Sequence, residues 1–156
     1  MATNAPEKKQ HSLEVIEKLN KQVANWSVLY MKLHHFHWYV KGPHFFTLHE
    51  KFEELYNEAT LILDEVAERV LTLGGKPVST LKDQLSLASI REAKGGESAD
   101  EMIKQLTDDL LQLAAESKEL AETADDAGDA PTADMLVGRQ EWIEKTVWML
   151  KAYQET

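Results

Sequence analysis

The chain contains no cysteine among its 156 residues, which excludes disulfide bonds and thiolate metal ligands. Glycine and proline are scarce, at seven and four residues, and this favours long helices because both residues interrupt them. No apolar run approaches the roughly 18 residues that a membrane-spanning helix needs. The opening segment, MATNAPEKKQHS, lacks the apolar stretch of a secretory signal. These absences predict a cytoplasmic protein without a membrane partner.

Positive charge is also in short supply, since the formal net charge is -10. A strongly acidic body repels nucleic-acid phosphates and attracts cations. The chain length suits a single domain with its own core. We expect a flexible tail over residues 1–9 and one folded domain over residues 10–156.

Apolar residues recur at helical spacing in four long segments of the chain. The segments cover residues 10–39, about 46–73, about 99–127 and 132–153. The second and third are separated by about 22 residues, whereas the other connections are a handful long. This layout predicts an all-α protein, a ferritin-like four-helix bundle with one long crossover.

Local signals mark where these helices begin. Thr47 with Glu50, and Ser98 with Glu101, have the spacing of capping boxes at the starts of the second and third helices. In the crossover, Ser79 or Thr80 is placed to cap a short extra helix.

Histidine is absent from the last two helices, because all six histidines lie in the first third of the chain. A di-iron bundle of the ordinary kind carries Glu-x-x-His on two helices. No histidine here has a glutamate three residues before it. A metal centre contained within one four-helix bundle is therefore poorly supported.

Helix two offers a different arrangement of donors. His49 and Glu53 are four residues apart, and Asp64 and Glu68 repeat that spacing on the same side of the helix. At a rise of about 1.5 Å per residue, His49 and Asp64 lie about 22 Å apart, too far to share a metal ion. Two antiparallel copies of the helix, related by a two-fold axis, would bring the opposite ends together and create two equivalent sites. His37, just before the chain reverses, is the best-placed further ligand.

Interpretations without a metal site remain open for these residues. Each pair on helix two also fits a solvated helix pair, and Glu65 with Arg69 has the spacing of an ordinary ion pair. For the chain as a whole, the corresponding interpretation is a helical bundle that binds no metal. If a metal binds, imidazole and carboxylate donors suit Fe(II), with zinc, manganese and cobalt as competitors.

The segment HHFHWYVKGPHFFTLHEKFEELYNEATLILDEVAERVLTLGGKP resembles the Dps family, the DNA-binding proteins from starved cells or mini-ferritins, in its Gram-positive form. The resemblance extends over essentially the whole chain. It implies a hollow cage of twelve subunits with tetrahedral symmetry. It also implies a ferroxidase that oxidises Fe(II), preferentially with hydrogen peroxide, stores the ferric mineral, and protects against oxidative stress.

The resemblance assigns roles to residues of this chain. It implies two irons per inter-subunit site, with zinc as a substitute metal. The family's ligands fall on His37, His49 and Glu53 of one subunit and on Asp64 and Glu68 of its partner. The position of Glu53 is often aspartate in the family, so its role as direct ligand or outer partner stays open. Trp38 resembles the tryptophan that takes up stray oxidising equivalents.

The acidic turn near residue 130 resembles the family's three-fold iron pore. The corresponding residues are Asp125, Asp129 and Asp134, although carboxylates near helix N-termini are also favoured by the helix dipole alone. DNA binding in the family depends on a long basic tail, and here Lys8 and Lys9 stand in a short one. Weak DNA binding, with nucleoid association, is therefore the alternative function.

Overall fold

Five helices form the part of the chain that the computed structural model describes, residues 5–155. They are α1 (Ala5–Tyr39), α2 (Phe45–Thr72), α3 (Leu81–Leu87), α4 (Ala99–Asp126) and α5 (Ala130–Gln154). α1 packs along α2, and α4 packs along α5, while the short α3 lies in the crossover and contacts α1. The prediction of an all-α bundle with one long crossover and a short extra helix is confirmed.

The first helix is longer than the sequence pattern predicts. It begins at Ala5, so residues 5–9 continue the helix where a flexible tail is predicted, and residues 1–4 lie outside the described residues. Alanine, glutamate and lysine in this segment are strong helix formers. Pro6 is tolerated because the first turn of a helix leaves its backbone N–H groups unpaired in any case.

Two predicted helix caps are confirmed and one is wrong. Ser98 and Glu101 form the expected capping box, and Thr80 accepts a hydrogen bond from the Asp83 backbone N–H at 3.2 Å. α2, however, begins at Phe45, two residues before Thr47, with His44 as a cap that makes no side-chain bond. The Phe45 ring stacks on His49, with 4.9 Å between centroids, and this contact adds an earlier turn to the helix.

The core runs between the two helix pairs. Its largest fully buried side chains are Trp26, Phe36 and Phe52, each stabilising the fold by about 1.5–3 kcal/mol through removal from water. The Trp26 ring lies 6.5 Å from that of Trp142 on α5, which ties the first pair to the second. None of the helices within residues 5–155 has the length and apolar character needed to cross a bilayer.

A buried amide anchors the crossover to the bundle. Asn25 is completely buried, and its side-chain oxygen accepts hydrogen bonds from the backbone N–H groups of Ser89 and Ile90 at 2.8 and 3.1 Å. Its side-chain nitrogen donates to Glu116 on α4 at 2.9 Å. Asn25 thus attaches the end of the crossover to both α1 and α4.

The predicted ion pair between Glu65 and Arg69 is not formed. Glu65 bonds instead to Arg139 on α5 at 2.6 Å, and Arg69 bonds to Asp129 at 3.0 Å. Both side chains therefore join α2 to the α5 side of the bundle. Contacts between helices prevail because they satisfy charges that are partly withdrawn from water, whereas an i,i+4 surface pair contributes only a few tenths of a kcal/mol, about 0.3–0.5.

Candidate metal centre

Two histidines meet where α1 turns into α2. Gly42 has a φ of 109°, a left-handed conformation that glycine adopts without steric cost, and it lets the chain reverse within a few residues. His37 and His49 then stack with their ring centroids 3.7 Å apart and their planes 13° from parallel. His37 is 8% exposed and His49 is half-buried.

Reciprocal hydrogen bonds orient these two rings. His37 Nδ1 donates to the His49 carbonyl, and His49 Nδ1 donates to the His37 carbonyl, each at 2.7 Å. Because a carbonyl oxygen only accepts, each Nδ1 must carry the hydrogen. In the neutral rings the lone pair is then on Nε2, the arrangement that second-sphere partners impose on metal-binding histidines. The pair is thus prepared to bind a cation through two Nε2 atoms.

Glu53 lies one helical turn after His49, beside a tyrosine that faces the histidines. Tyr56 donates its hydroxyl to Glu53 Oε1 at 3.3 Å, stacks on His34 at 3.7 Å and meets His37 edge-on at 5.4 Å. Burial raises the pKa of the Tyr56 hydroxyl, and the negative charge of Glu53 raises it further. The Glu53 carboxylate is thereby bonded to a tyrosine whose ring contacts His37.

The other two predicted ligands lie far along α2. Asp64 and Glu68 are exposed, and the helical rise places Asp64 about 22 Å from His49. Among the described residues, no three His, Asp or Glu side chains gather closely enough to hold a metal ion. A single chain therefore presents the two halves of the predicted donor set on one helix without joining them.

Trp38 follows His37 but points away from the bundle. Its side chain is 62% exposed, and its ring lies 5.4 Å from that of His34. His34 in turn donates its Nδ1 hydrogen to the Tyr30 carbonyl at 2.8 Å. His34 therefore serves as a packing residue between Trp38 and Tyr56.

The predicted pore residues differ in environment. Asp125 and Asp134 are exposed, whereas Asp129 caps α5 and accepts bonds from the Thr132 N–H at 3.2 Å, its hydroxyl at 2.5 Å and Arg69 at 3.0 Å. Partial burial opposes the charged form of Asp129, but the bonds from Thr132 and Arg69 outweigh it and lower the pKa of the carboxyl group. Asp129 is thus engaged inside the subunit, while the other two carboxylates are open to ions.

Replacing Asp129 with alanine should lower the free energy of unfolding by about 1–2 kcal/mol at neutral pH, as for other helix caps. Since the folded-state pKa lies below the ordinary value of 3.8, this stabilisation is present above 3.8 and is lost as the pH falls from there through the lower folded-state pKa. Urea unfolding of both proteins at neutral pH and below about pH 4 measures the difference. Asp126→Ala, at an exposed neighbour, is the control. A difference that stays constant with pH would contradict the assignment.

Two side chains near these sites were not predicted from the sequence. Tyr56 follows His49 and Glu53 at the next helical position on the same face, so the periodicity of α2 could have revealed it. Arg139 bonds to Glu65, which is 74 residues away in the chain, and no local pattern signals such a contact.

Comparison with known proteins agrees with the fold. A family model described as "Ferritin-like domain" matches residues 16–156. General stress protein 20U of Bacillus subtilis is 54% identical over 142 residues, covering 91% of this chain and 98% of that protein. The DNA protection during starvation protein of Brevibacillus brevis is 57% identical over 137 residues, covering 88% and 92%.

A solved structure extends the similarity to the whole subunit. The crystal structure of a Dps protein from Bacillus brevis superposes with a TM-score of 0.93 at 52% identity, covering 99% of this chain and 100% of that one. The helix layout and these similarities define a ferritin-like bundle. The chain belongs to the ferritin-like family and, within it, to the Dps proteins.

Proposed function

We propose that this protein oxidises Fe(II) at a site shared by two subunits and stores the ferric product. One observation carries the proposal. His37 at the end of α1 and His49 at the beginning of α2 present two Nε2 donors, α2 carries two exposed carboxylates near its end, and neither group completes a metal site in the described part of one chain.

A two-fold axis would complete both sites at once. If two copies of α2 run antiparallel, the His37 and His49 pair of one subunit faces Asp64 and Glu68 of the other. The same contact occurs twice, so each dimer holds two equivalent centres. Twelve such subunits in a tetrahedral cage would enclose a space for the mineral, as membership of the Dps proteins suggests.

The donor set suits the proposed reaction. Neutral imidazole and carboxylate bind Fe(II), and zinc is a competing metal for the same set. Two Fe(II) ions each give one electron to hydrogen peroxide, which takes up two protons and leaves as two water molecules. The two ferric ions remain for the mineral. Because both electrons come from iron, no hydroxyl radical is released.

The carboxylates at the turn between α4 and α5 support a route for iron. Asp125 and Asp134 are exposed there, and three copies around a three-fold axis would attract cations. The net charge of -10 per chain adds to that attraction. Asp129 supports this turn as the cap of α5, since its carboxylate is already bound to Arg69 and Thr132.

Protection of DNA follows from the same chemistry without contact between protein and DNA. The relative from Brevibacillus brevis is named for DNA protection during starvation. Consumption of Fe(II) and peroxide removes the reagents that generate hydroxyl radicals. The strongly acidic body favours this indirect protection over direct binding to phosphates.

Crystals of the assembled protein soaked with Co(II) or Fe(II) under anaerobic conditions test where the ligands come from. We expect metal density between the Nε2 atoms of His37 and His49 of one subunit and the carboxylates of Asp64 and Glu68 of another. The same density will show whether Glu53 binds directly. Ligands drawn from one chain only would overturn the shared site.

A further inference from the structure

A single arginine on α5 bonds to α2 at two points. Arg139 donates through Nη1 to Glu58 Oε1 at 2.8 Å and through Nε to Glu65 Oε2 at 2.7 Å, and its Nη2 lies 2.6 Å from the same Glu65 oxygen. The arginine side chain is only 23% exposed, and those of Glu58 and Glu65 are 29% and 41% exposed. The three groups thus form a partly desolvated cluster, in which ion pairs are stronger than on an open surface.

We propose that Arg139 is a positioning residue for the split metal site, an inference that rests on the proposed function. Arg139 fixes the rotation of α2 about its axis and holds Glu65 away from the metal-binding face. It acts through α2 and does not touch the metal.

The positions of Glu58 and Glu65 on α2 explain how Arg139 controls the rotation of this helix. Glu58 and Glu65 are about two helical turns apart and lie on the same flank of α2, whereas His49 and Asp64 lie on the opposite side of the buried stripe. Arg139 spans the two glutamates, so α2 cannot turn without breaking at least one bond. With α1 packed on the histidine side, the helix is fixed from both flanks.

Arg139 also separates carboxylates that are neighbours in the sequence. Asp64, Glu65 and Glu68 fall within the segment DEVAE, and each could in principle bind a cation. Arg139 engages Glu65, while Asp64 and Glu68 remain exposed. The arginine thereby leaves two carboxylates, and not three, for the partner subunit's histidines.

Metal binding is sensitive to such positioning. Productive donor geometry must be held within about 0.5 Å and 10–20°, and removal of an outer partner typically weakens metal affinity by about 10–100-fold. In a two-fold site each copy of α2 contributes donors at both ends. A rotation of α2 would therefore displace His49 and the carboxylates of every centre together, relative to His37 on α1.

Cobalt titration of the assembled, iron-free protein tests the inference. Visible absorption reports the geometry around Co(II), and the titration reports its affinity. We expect Arg139→Gln to weaken Co(II) binding by at least about tenfold and to change the absorption bands. Arg139→Lys should lie between wild type and Arg139→Gln, because lysine retains the charge but not the planar set of donors. Arg91→Gln, at an exposed position on the crossover, is the matched control and should bind as wild type does.

Glu65→Gln separates positioning from a purely structural role. If Arg139 acts through Glu65, Glu65→Gln should also weaken Co(II) binding. The double variant should then bind little worse than either single one, since effects on one pathway are not additive. If Arg139→Gln fails to fold, Arg139→Lys and Glu65→Gln provide the same comparison. A lowered melting temperature with unchanged Co(II) affinity and spectrum would overturn the inference.

The wild-type titration distinguishes failure of this inference from failure of the proposed function. Wild-type protein that binds no Co(II) at the shared centre would overturn both. Wild-type protein that binds Co(II), with variants that bind equally well, would overturn the role of Arg139 alone.

Discussion

Subunits carrying His37→Ala, when mixed with subunits carrying Asp64→Ala, should recover about a quarter of the wild-type rate of peroxide-dependent Fe(II) oxidation. Each variant alone should lose fast oxidation altogether. In a mixed dimer, one site lacks both residues, but the other combines an intact His37 from one chain with an intact Asp64 from its partner. Random pairing makes half of the dimers mixed, and each of these contains one functional site of two.

This recovery is the signature of a shared centre. A site built within one chain would remain inactive in every mixture, because no chain carries both intact residues. The experiment requires coexpression with two different tags, followed by stopped-flow measurement of Fe(II) oxidation and by size analysis of the assembly. Mixed subunits carrying His44→Ala and Asp108→Ala, outside the proposed centre, are the control and should keep the wild-type rate. Assembled mixtures of the site variants with no recovery would contradict the two-chain site.

Asp109→Ala should lower the free energy of unfolding by about 3 kcal/mol, because it leaves a buried ammonium group without its counter-ion. Lys32 and Asp109 are 2.7 Å apart, with side chains 4% and 15% exposed. Burial raises the pKa of the Asp109 carboxyl group, although the hydrogen bond and charge of Lys32 act in the opposite direction. In the variant, the Lys32 ammonium retains only its bond to the Arg91 carbonyl, at 2.9 Å.

The neighbouring pair on α4 supplies a matched control. Lys104 and Asp108 are 2.9 Å apart but 73% and 61% exposed, and Asp108→Ala should change stability by less than about 1 kcal/mol. Combining Lys32→Met with Asp109→Leu should restore most of the loss, since an apolar pair can replace a buried ion pair. Chemical unfolding measures all three variants. Equal losses for Asp108→Ala and Asp109→Ala would show that burial does not govern the contribution of these pairs.

The periodicity of the sequence was sufficient to predict the fold. Apolar spacing predicted four long helices and the crossover, and the capping signals at Ser98 and Thr80 were confirmed. The spacing of His49, Glu53, Asp64 and Glu68 is enough to place them on one side of a helix. These inferences succeed because helical geometry relates residues that are close in the chain.

Helical spacing did not predict the contacts between residues that are far apart in the chain. Glu65 and Arg69 have helical ion-pair spacing, yet each bonds to the α5 side, to Arg139 and to Asp129. Asp129 reads as a pore carboxylate in the sequence, but its oxygens are engaged by Thr132 and Arg69. A charge that is partly removed from water bonds to the nearest complementary group in space, and sequence spacing does not reveal which group that is.

The sequence by itself therefore determined the helices, the face of α2 that bears the proposed donors, and the distance that prevents one helix from completing a site. Only the tertiary structure decided how the histidine rings among them are oriented and which nitrogen of each ring is left to bind a cation. The turn at Gly42 brings His37 onto His49, and the reciprocal bonds to backbone carbonyls leave both Nε2 atoms for a cation. The physical reason is that helical periodicity is local, whereas ring stacking, tautomer selection and desolvated ion pairs depend on which surfaces the folded chain brings together.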